Sequence, residues 1–151
     1  MNDVIENIKP IHVPSRKQVE ALEAELKLMP QVDIKTEHYF SGGMYCRKFY
    51  GPKDMLVVGK THRKNHFFIC ARGEAITWSE KGMIHIKEGD VICSKPNTKR
   101  VVLCLTDCIL ITCQKTRHTS LDKIEKEVMY PEENALYNSS NILKAKALEG
   151  K

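Results

Sequence analysis

The sequence predicts a mainly β protein, an antiparallel sandwich or barrel with one helix before it and a helical tail after it. Three observations carry this reading. From about Asp33 to Gln114, short β-rich runs alternate at regular spacing with breaks made of Gly, Pro, Asn and Asp. Ahead of that region, Val19, Leu22, Leu26 and Met29 recur at helical spacing. Behind it, Leu121, Ile124 and Val128 do the same. A chain of 151 residues fits one core, so residues 1–151 are read as a single domain.

Taken in order, residues 1–14 form an irregular lead containing Pro10 and Pro14. Ser15, with Gln18 three positions on, has the pattern of a capping box, which places a helix over about 16–29. Pro30 ends it, because proline cannot continue the backbone ladder. Strands are expected near 33–40, 43–50, 54–59, 65–71, 74–79, 83–87, 90–94, 99–105 and 108–114, together making a barrel over about 33–115. The breaks fall at Ser41-Gly42-Gly43, Gly51-Pro52, Glu80-Lys81-Gly82, Glu88-Gly89-Asp90, Pro96-Asn97 and Thr106-Asp107, with Lys81-Gly82 as a tight hairpin turn. Beyond His118, Thr119 or Ser120 caps a helix through LDKIEKEVM, which Pro131 breaks. A weaker helix is expected from Glu132 through Leu148, so the tail spans about 120–148.

Composition narrows the functional class. Hydrophobic residues at 42% and charged residues at 28% describe a globular protein and exclude a disordered one. No apolar run approaches the roughly 20 residues of a membrane helix, so no membrane partner is expected. The stretch MNDVIENIKPIHVP lacks the basic start and apolar run of a secretory signal, which points to the cytoplasm. The cysteines at 46, 70, 93, 104, 108 and 113 form no CxxC pair, and without export a disulfide scaffold is not expected. They read as small buried hydrophobes, Cys70 included, although its placement also admits a thiolate nucleophile. Charge is uneven: residues 46–118 hold 14 Lys or Arg against 6 Asp or Glu, and the rest hold 10 against 13. A basic centre suits a small anionic ligand, or else a solvated strand surface with lysine-guarded edges. Nucleic acid is not expected, because aromatics are only 7% of the chain and Trp78 and Tyr45 read as packing residues.

The stretch that carries chemistry is Gly59-Lys-Thr-His62-Arg-Lys-Asn-His66-Phe-Phe-Ile-Cys-Ala-Arg-Gly73-Glu-Ala, followed by Ile86-Lys-Glu-Gly89-Asp90-Val91-Ile-Cys-Ser-Lys-Pro96-Asn-Thr-Lys-Arg100-Val. It resembles the two cupin motifs: His-x-His, an acidic residue, an apolar run and Gly, then Gly-Asp, Pro and a closing His. His62 stands at the second His of the first motif, and His66 at the acidic position, seven residues before Gly73. Lys60 replaces the first His, and Arg100 or Val101 the last. The resemblance covers roughly residues 40–115, about half the chain. It implies a cupin-like antiparallel β-barrel (jelly roll) with an N-terminal helix and a C-terminal helical tail, and a homodimer.

A narrower resemblance is to short cupin-like proteins of bacterial viruses, with His-x-His-x-x-Asp-His and an ending like Ile-His-x-Thr-x-x-Thr-Asp-x-x-Lys-Ile-Glu. Here the first reads Lys60-Thr-His62-Arg-Lys-Asn65-His66. The second reads Thr112-Cys-Gln114-Lys-Thr116-Arg-His118-Thr-Ser-Leu-Asp122-Lys-Ile-Glu125, so Lys60 and Gln114 stand at His positions. A viral setting implies the host cytoplasm. No activity follows from this group.

Side chains alternate across a strand, so Lys60, His62, His66, Phe68 and Cys70 share parity and face inward if one strand runs unbroken through Arg63-Lys64. The ligand-binding residues are then Lys60, His62, His66, Arg100 and Gln114, with Arg47 from the basic centre. Arg63, Lys64, Lys95 and Lys99 add charge around the motifs. Two readings of the imidazoles follow. In the preferred one, they are hydrogen-bonded residues of a metal-free pocket that holds a small anion without turning it over. In the other, His62 and His66 ligate a divalent ion (Zn, Fe, Ni or Mn) in an isomerase, epimerase or dioxygenase. Lys60 weakens the second, since an ammonium repels a dication, and no spacing selects a third ligand among His85, His38, Cys104 and Gln114. A third possibility is an interaction dimer with a vestigial pocket.

Overall fold

The computed structural model describes residues 13–132 and 135–144. Helix α1 spans Arg16–Leu28, and nine strands follow. They are β1 Thr36–Ser41, β2 Met44–Gly51, β3 Leu56–Val58, β4 His66–Arg72, β5 Glu74–Ser79, β6 Gly82–Lys87, β7 Val91–Ser94, β8 Val101–Cys104 and β9 Cys108–Lys115. Helix α2, Leu121–Val128, is the last helix or strand among the described residues. The strands form two antiparallel sheets, ordered β1-β2-β9-β4-β7 and β3-β8-β5-β6. All nine expected strands are present, as are both principal helices.

Local chemistry explains the boundaries. The α1 capping box is complete: Gln18 N donates to Ser15 Oγ (3.2 Å), and Ser15 N to Gln18 Oε1 (2.9 Å). Val19 is the buried residue of this helix, whereas Met29 is its C-cap and exposed. The β1–β2 hairpin closes from Ser41 to Met44 over Gly42 and Gly43, at φ 53° and 80°, the left-handed pair that a tight hairpin requires. The β5–β6 turn sits one residue earlier than expected: Ser79 pairs with Gly82, leaving Glu80-Lys81 as the loop. Gly73 is sterically fixed. At φ 83°, any Cβ there would collide with the Asp107 carbonyl.

Two further expectations fail here. Cys46 and Cys113 form a disulfide, so not all the cysteines are free apolar fillers. They are directly opposite residues of β2 and β9, with Cα atoms 4.3 Å apart, which is the close cross-strand spacing that brings two sulfurs together. Cys93 is exposed, while Cys70, Cys104 and Cys108 are buried as anticipated. The weaker helix over 132–148 is absent from 135–144, and residues 133–134 and 145–148 lie outside the described residues. Instead Asn138 Oδ1 accepts from Ser140 N (3.0 Å) and Ile142 N (2.9 Å), and Asn141 adopts φ 60°. Asparagine side chains here offer the backbone a turn that competes with the helix.

The barrel interior is divided. At one end, Met55, Phe68, Cys70, Ala75, Ile86, Val102, Cys104, Cys108 and Leu110 form one apolar cluster. A second cluster joins Tyr45 to Ile124, Val128 and Met129, so the apolar row of α2 covers the other end. Fully burying a side chain such as Leu110 contributes about 1.5–3 kcal/mol.

Candidate anion site in the polar end of the barrel

Between the apolar cluster and α2, the inward positions turn polar. Along β9, Leu110, Thr112 and Gln114 all point inward, and β2 sets Arg47 beside Thr112 and Tyr45 beside Gln114. His66 opens β4 and is buried. His62 is buried too, but not through the strand alternation expected. Residues 60–65 form a loop, and β4 begins only at His66. Backbone bonds fix that loop on two sides. Asn97 N donates to His62 O (2.9 Å), Arg63 N to Val128 O (2.7 Å), and Tyr130 N to Thr61 O (3.0 Å). His62 thereby makes an isolated bridge with Met129.

The two imidazoles stack, with centroids 3.8 Å apart and planes 21° from parallel. His62 Nδ1 donates to Gln114 Oε1 (3.2 Å), and His66 Nδ1 to the Lys64 carbonyl (3.3 Å). This tautomer leaves each Nε2 with a lone pair. Both rings are neutral. Burial first, then His66 and Arg47, pushes His62 down to about 3. Burial, with Arg100 and Arg47 acting in the same direction, lowers His66.

Around them stand donors without acceptors. The Nε of Arg47, the Nε of Arg100, Gln114 Nε2 and Thr112 Oγ1 are shut off from solvent and have no hydrogen-bond partner among the described residues. Arg100 donates only from Nη2, to Ser94 Oγ (2.8 Å), and lies over the Phe68 ring. Burial lowers the pKa of both guanidiniums, and Glu125 is the carboxylate whose field opposes this at Arg47. A sealed donor without an acceptor costs about 1–3 kcal/mol, and here several occur together.

The structure thus gathers His62, His66, Arg47, Arg100 and Gln114 at one end of the barrel. Lys60 lies at the rim with its ammonium on Glu125 of α2. The basic rim read from the sequence is largely neutralised by the acidic flanks. Lys64 pairs with Glu127 (2.6 Å) and Lys99 with Glu23 (2.9 Å), while Arg63 donates to Met129 O and covers the Tyr130 ring. Cys70 is a core thiol pushed up to about 11 by burial, not a nucleophile. Thr112, Ser94 and Glu125 were missed. Alternation along β9 from Leu110 was the available signal for Thr112, while Ser94 and Glu125 stand inside the quoted motif stretches, where nothing singled them out for a role.

The residues do not fit the metal ion that cupins with a His-rich motif imply. Lone pairs lie in the imidazole plane, so two nearly parallel rings cannot both aim at one ion about 2.0–2.1 Å away. Two guanidiniums add positive charge beside them. No group of three His, Cys, Asp or Glu side chains able to hold a metal occurs among the described residues. His38 is engaged with the Tyr45 hydroxyl (2.7 Å), His85 with Glu74 (3.0 Å), and Cys104 is buried in the apolar cluster.

Among the described residues, nine strands in two packed antiparallel sheets, with a polar cluster inside one end, define a cupin-like jelly-roll barrel. Comparison with known proteins agrees at the level of fold. No family model matches the sequence, and no curated protein matches it. An RmlC-like cupin from Shewanella frigidimarina superposes with a TM-score of 0.50 at 19% identity, covering 58% of this chain and 79% of that one. KdgF from Halomonas gives 0.50 at 12% identity over 58% and 82% of the two chains. A salicylate 1,2-dioxygenase from Pseudaminobacter salicylatoxidans gives 0.51 at 11% identity, with 64% of this chain matching 31% of the enzyme. At these identities the likeness is one of fold. Among the described residues, no helix is long and apolar enough to cross a membrane.

Proposed function

We propose that this protein binds a small oxyanion, a phosphate- or carboxylate-bearing metabolite, in the polar end of the barrel and does not transform it. The observation that carries this is the Arg47 Nε–H, sealed from water and lacking an acceptor, with Arg100 Nε, Gln114 Nε2 and Thr112 Oγ1 in the same condition. Anionic oxygens satisfy such donors, and arginine matches their planar, paired geometry. The neutral rings refine the preference. Their free Nε2 atoms accept hydrogen bonds, which favours a ligand that also carries hydroxyl groups, such as a sugar phosphate or hydroxy acid. In the viral setting that the motifs resemble, the role would be sequestration of such a metabolite in the host cytoplasm.

Thermal shift with inorganic phosphate and a panel of phosphorylated sugars and hydroxy acids tests this. Wild-type protein is expected to be stabilised by at least one of them, by about 2.7 kcal/mol when ligand exceeds Kd a hundredfold. The Arg47→Leu variant is expected to lose that response. Absence of stabilisation by every anion at millimolar concentration overturns the reading.

A second copy of this chain is the partner we propose for the outer face of the five-stranded sheet. Phe67 (50% exposed) and Val91 (56% exposed) stand there on adjacent strands β4 and β7. Light scattering that reports a monomer at tens of micromolar removes this proposal.

A further inference from the structure

The polar end of the barrel is covered by a helix that carries a carboxylate. Helix α2 lies over Tyr45 through Ile124 and Val128. Its Glu125 turns toward the barrel and takes the Lys60 ammonium. Tyr45, Arg47, Lys60, Glu125, Met129 and Asn141 surround a cavity of about 10 Å³, the space of one water. A metabolite cannot reach Arg47 from this side while the helix is seated.

We propose that Glu125 is an internal competitor for the anion site, holding Lys60 and facing Arg47 with the negative charge that a ligand would bring. This rests on the oxyanion reading given above. An entering anion replaces the Glu125 carboxylate at these cations and thereby loosens α2. The helix is built for such exchange. Its other polar ties include Glu127 to Lys64 (2.6 Å), Glu127 to Thr116 Oγ1 (2.6 Å), Asp122 to Ser139 Oγ and the Val128 carbonyl to Arg63 N (2.7 Å), and none of them involves Arg47. Losing Glu125 from Lys60 removes one tie and leaves the apolar row in place. Ligand selectivity follows as well, because only an anion that outcompetes a tethered carboxylate binds. Neutral sugars gain nothing from the exchange.

The test is calorimetric titration of the full-length protein with inorganic phosphate, comparing wild type, Glu125→Gln and Glu127→Gln, with Arg47→Leu as reference. Glutamine keeps the shape of the side chain and removes its charge. Each Glu→Gln variant changes the net charge equally, and both sit on α2. Glu125→Gln is expected to bind phosphate about tenfold more tightly, a change of about 1.4 kcal/mol. Glu127→Gln is expected to bind as wild type does. Hydrogen exchange in 121–130 is expected to speed up when phosphate is added to wild type and to change little when it is added to Glu125→Gln.

If Glu125→Gln binds no more tightly than wild type while Arg47→Leu still abolishes binding, the competitor role is wrong and the oxyanion site stands. Equal tightening by both glutamine variants also overturns it, since general charge or helix loosening would then suffice. Failure of wild type and Glu125→Gln alike to bind phosphate or any panel anion overturns both readings.

Discussion

The same strands build both ends of this barrel, yet the two ends are governed by opposite physics. On β9, Cys108 and Leu110 enter the apolar cluster, while Thr112 and Gln114, next on the same face, enter the polar one. On β4, Phe68 and Cys70 face one end and His66 the other. Val102 and Cys104 of β8 are core, whereas Arg100, just before that strand, has a buried Nε with no hydrogen-bond partner. The apolar end is stabilised by the close packing of its buried side chains. The polar end carries unmet hydrogen bonds and a depressed pKa at each of His62, His66, Arg47 and Arg100. Such cost persists in a fold when the site serves something other than stability.

Substitutions sharpen the contrast. The largest effect is expected at the apolar end. Leu110→Ala removes a fully buried side chain and should destabilise by about 2–5 kcal/mol in urea unfolding, with little effect on anion response per folded molecule. Next comes acid sensitivity at the other end. His62 is held at about 3 in the fold, against an ordinary value of 6.5. Below pH 6.5 the unfolded chain therefore binds a proton that the native ring refuses. Stability is then full above that pH and falls as acid is added, by about 1.4 kcal/mol per unit from this ring. Unfolding free energies at pH 6.5 and 5 should differ by about 2 kcal/mol from His62 alone, and His62→Gln should flatten that slope. The smallest change is the most diagnostic. Arg47→Leu, measured without ligand, should stabilise by about 1–2 kcal/mol, because an unmatched buried donor disappears. A loss of stability instead would mean that Arg47 is already satisfied, and the contrast between the ends would collapse.

Much of the barrel was legible in the sequence, for reasons specific to its turns and caps. Ser41-Gly42-Gly43 and Gly73 demand backbone conformations that few residues adopt, and Ser15 with Gln18 sets the start of α1 through local bonds alone. The candidate site was legible only in part. His62 and His66 stand out as a pair, and both face inward. Yet the assumption of one continuous strand was wrong, because long-range bonds from residues 97 and 128 fix the loop. The basic rim misled for a related reason. Sequence shows charge in order along the chain, and it cannot show that Glu23, Glu125 and Glu127 fold back onto Lys99, Lys60 and Lys64. The cross-strand disulfide escaped because register, not spacing, sets Cys46 opposite Cys113. Asparagine-driven turns near 138–142 likewise outweighed the helical composition of the tail.

The double fastening of the loop from 59 to 65 bears on how the molecule comes into being. One anchor lies in the chain before β8, the other at the end of α2 and just beyond it. A chain stopped after β9 has the Asn97 anchor and lacks those of Val128 and Tyr130, so the first imidazole is held from both sides only once α2 is in place.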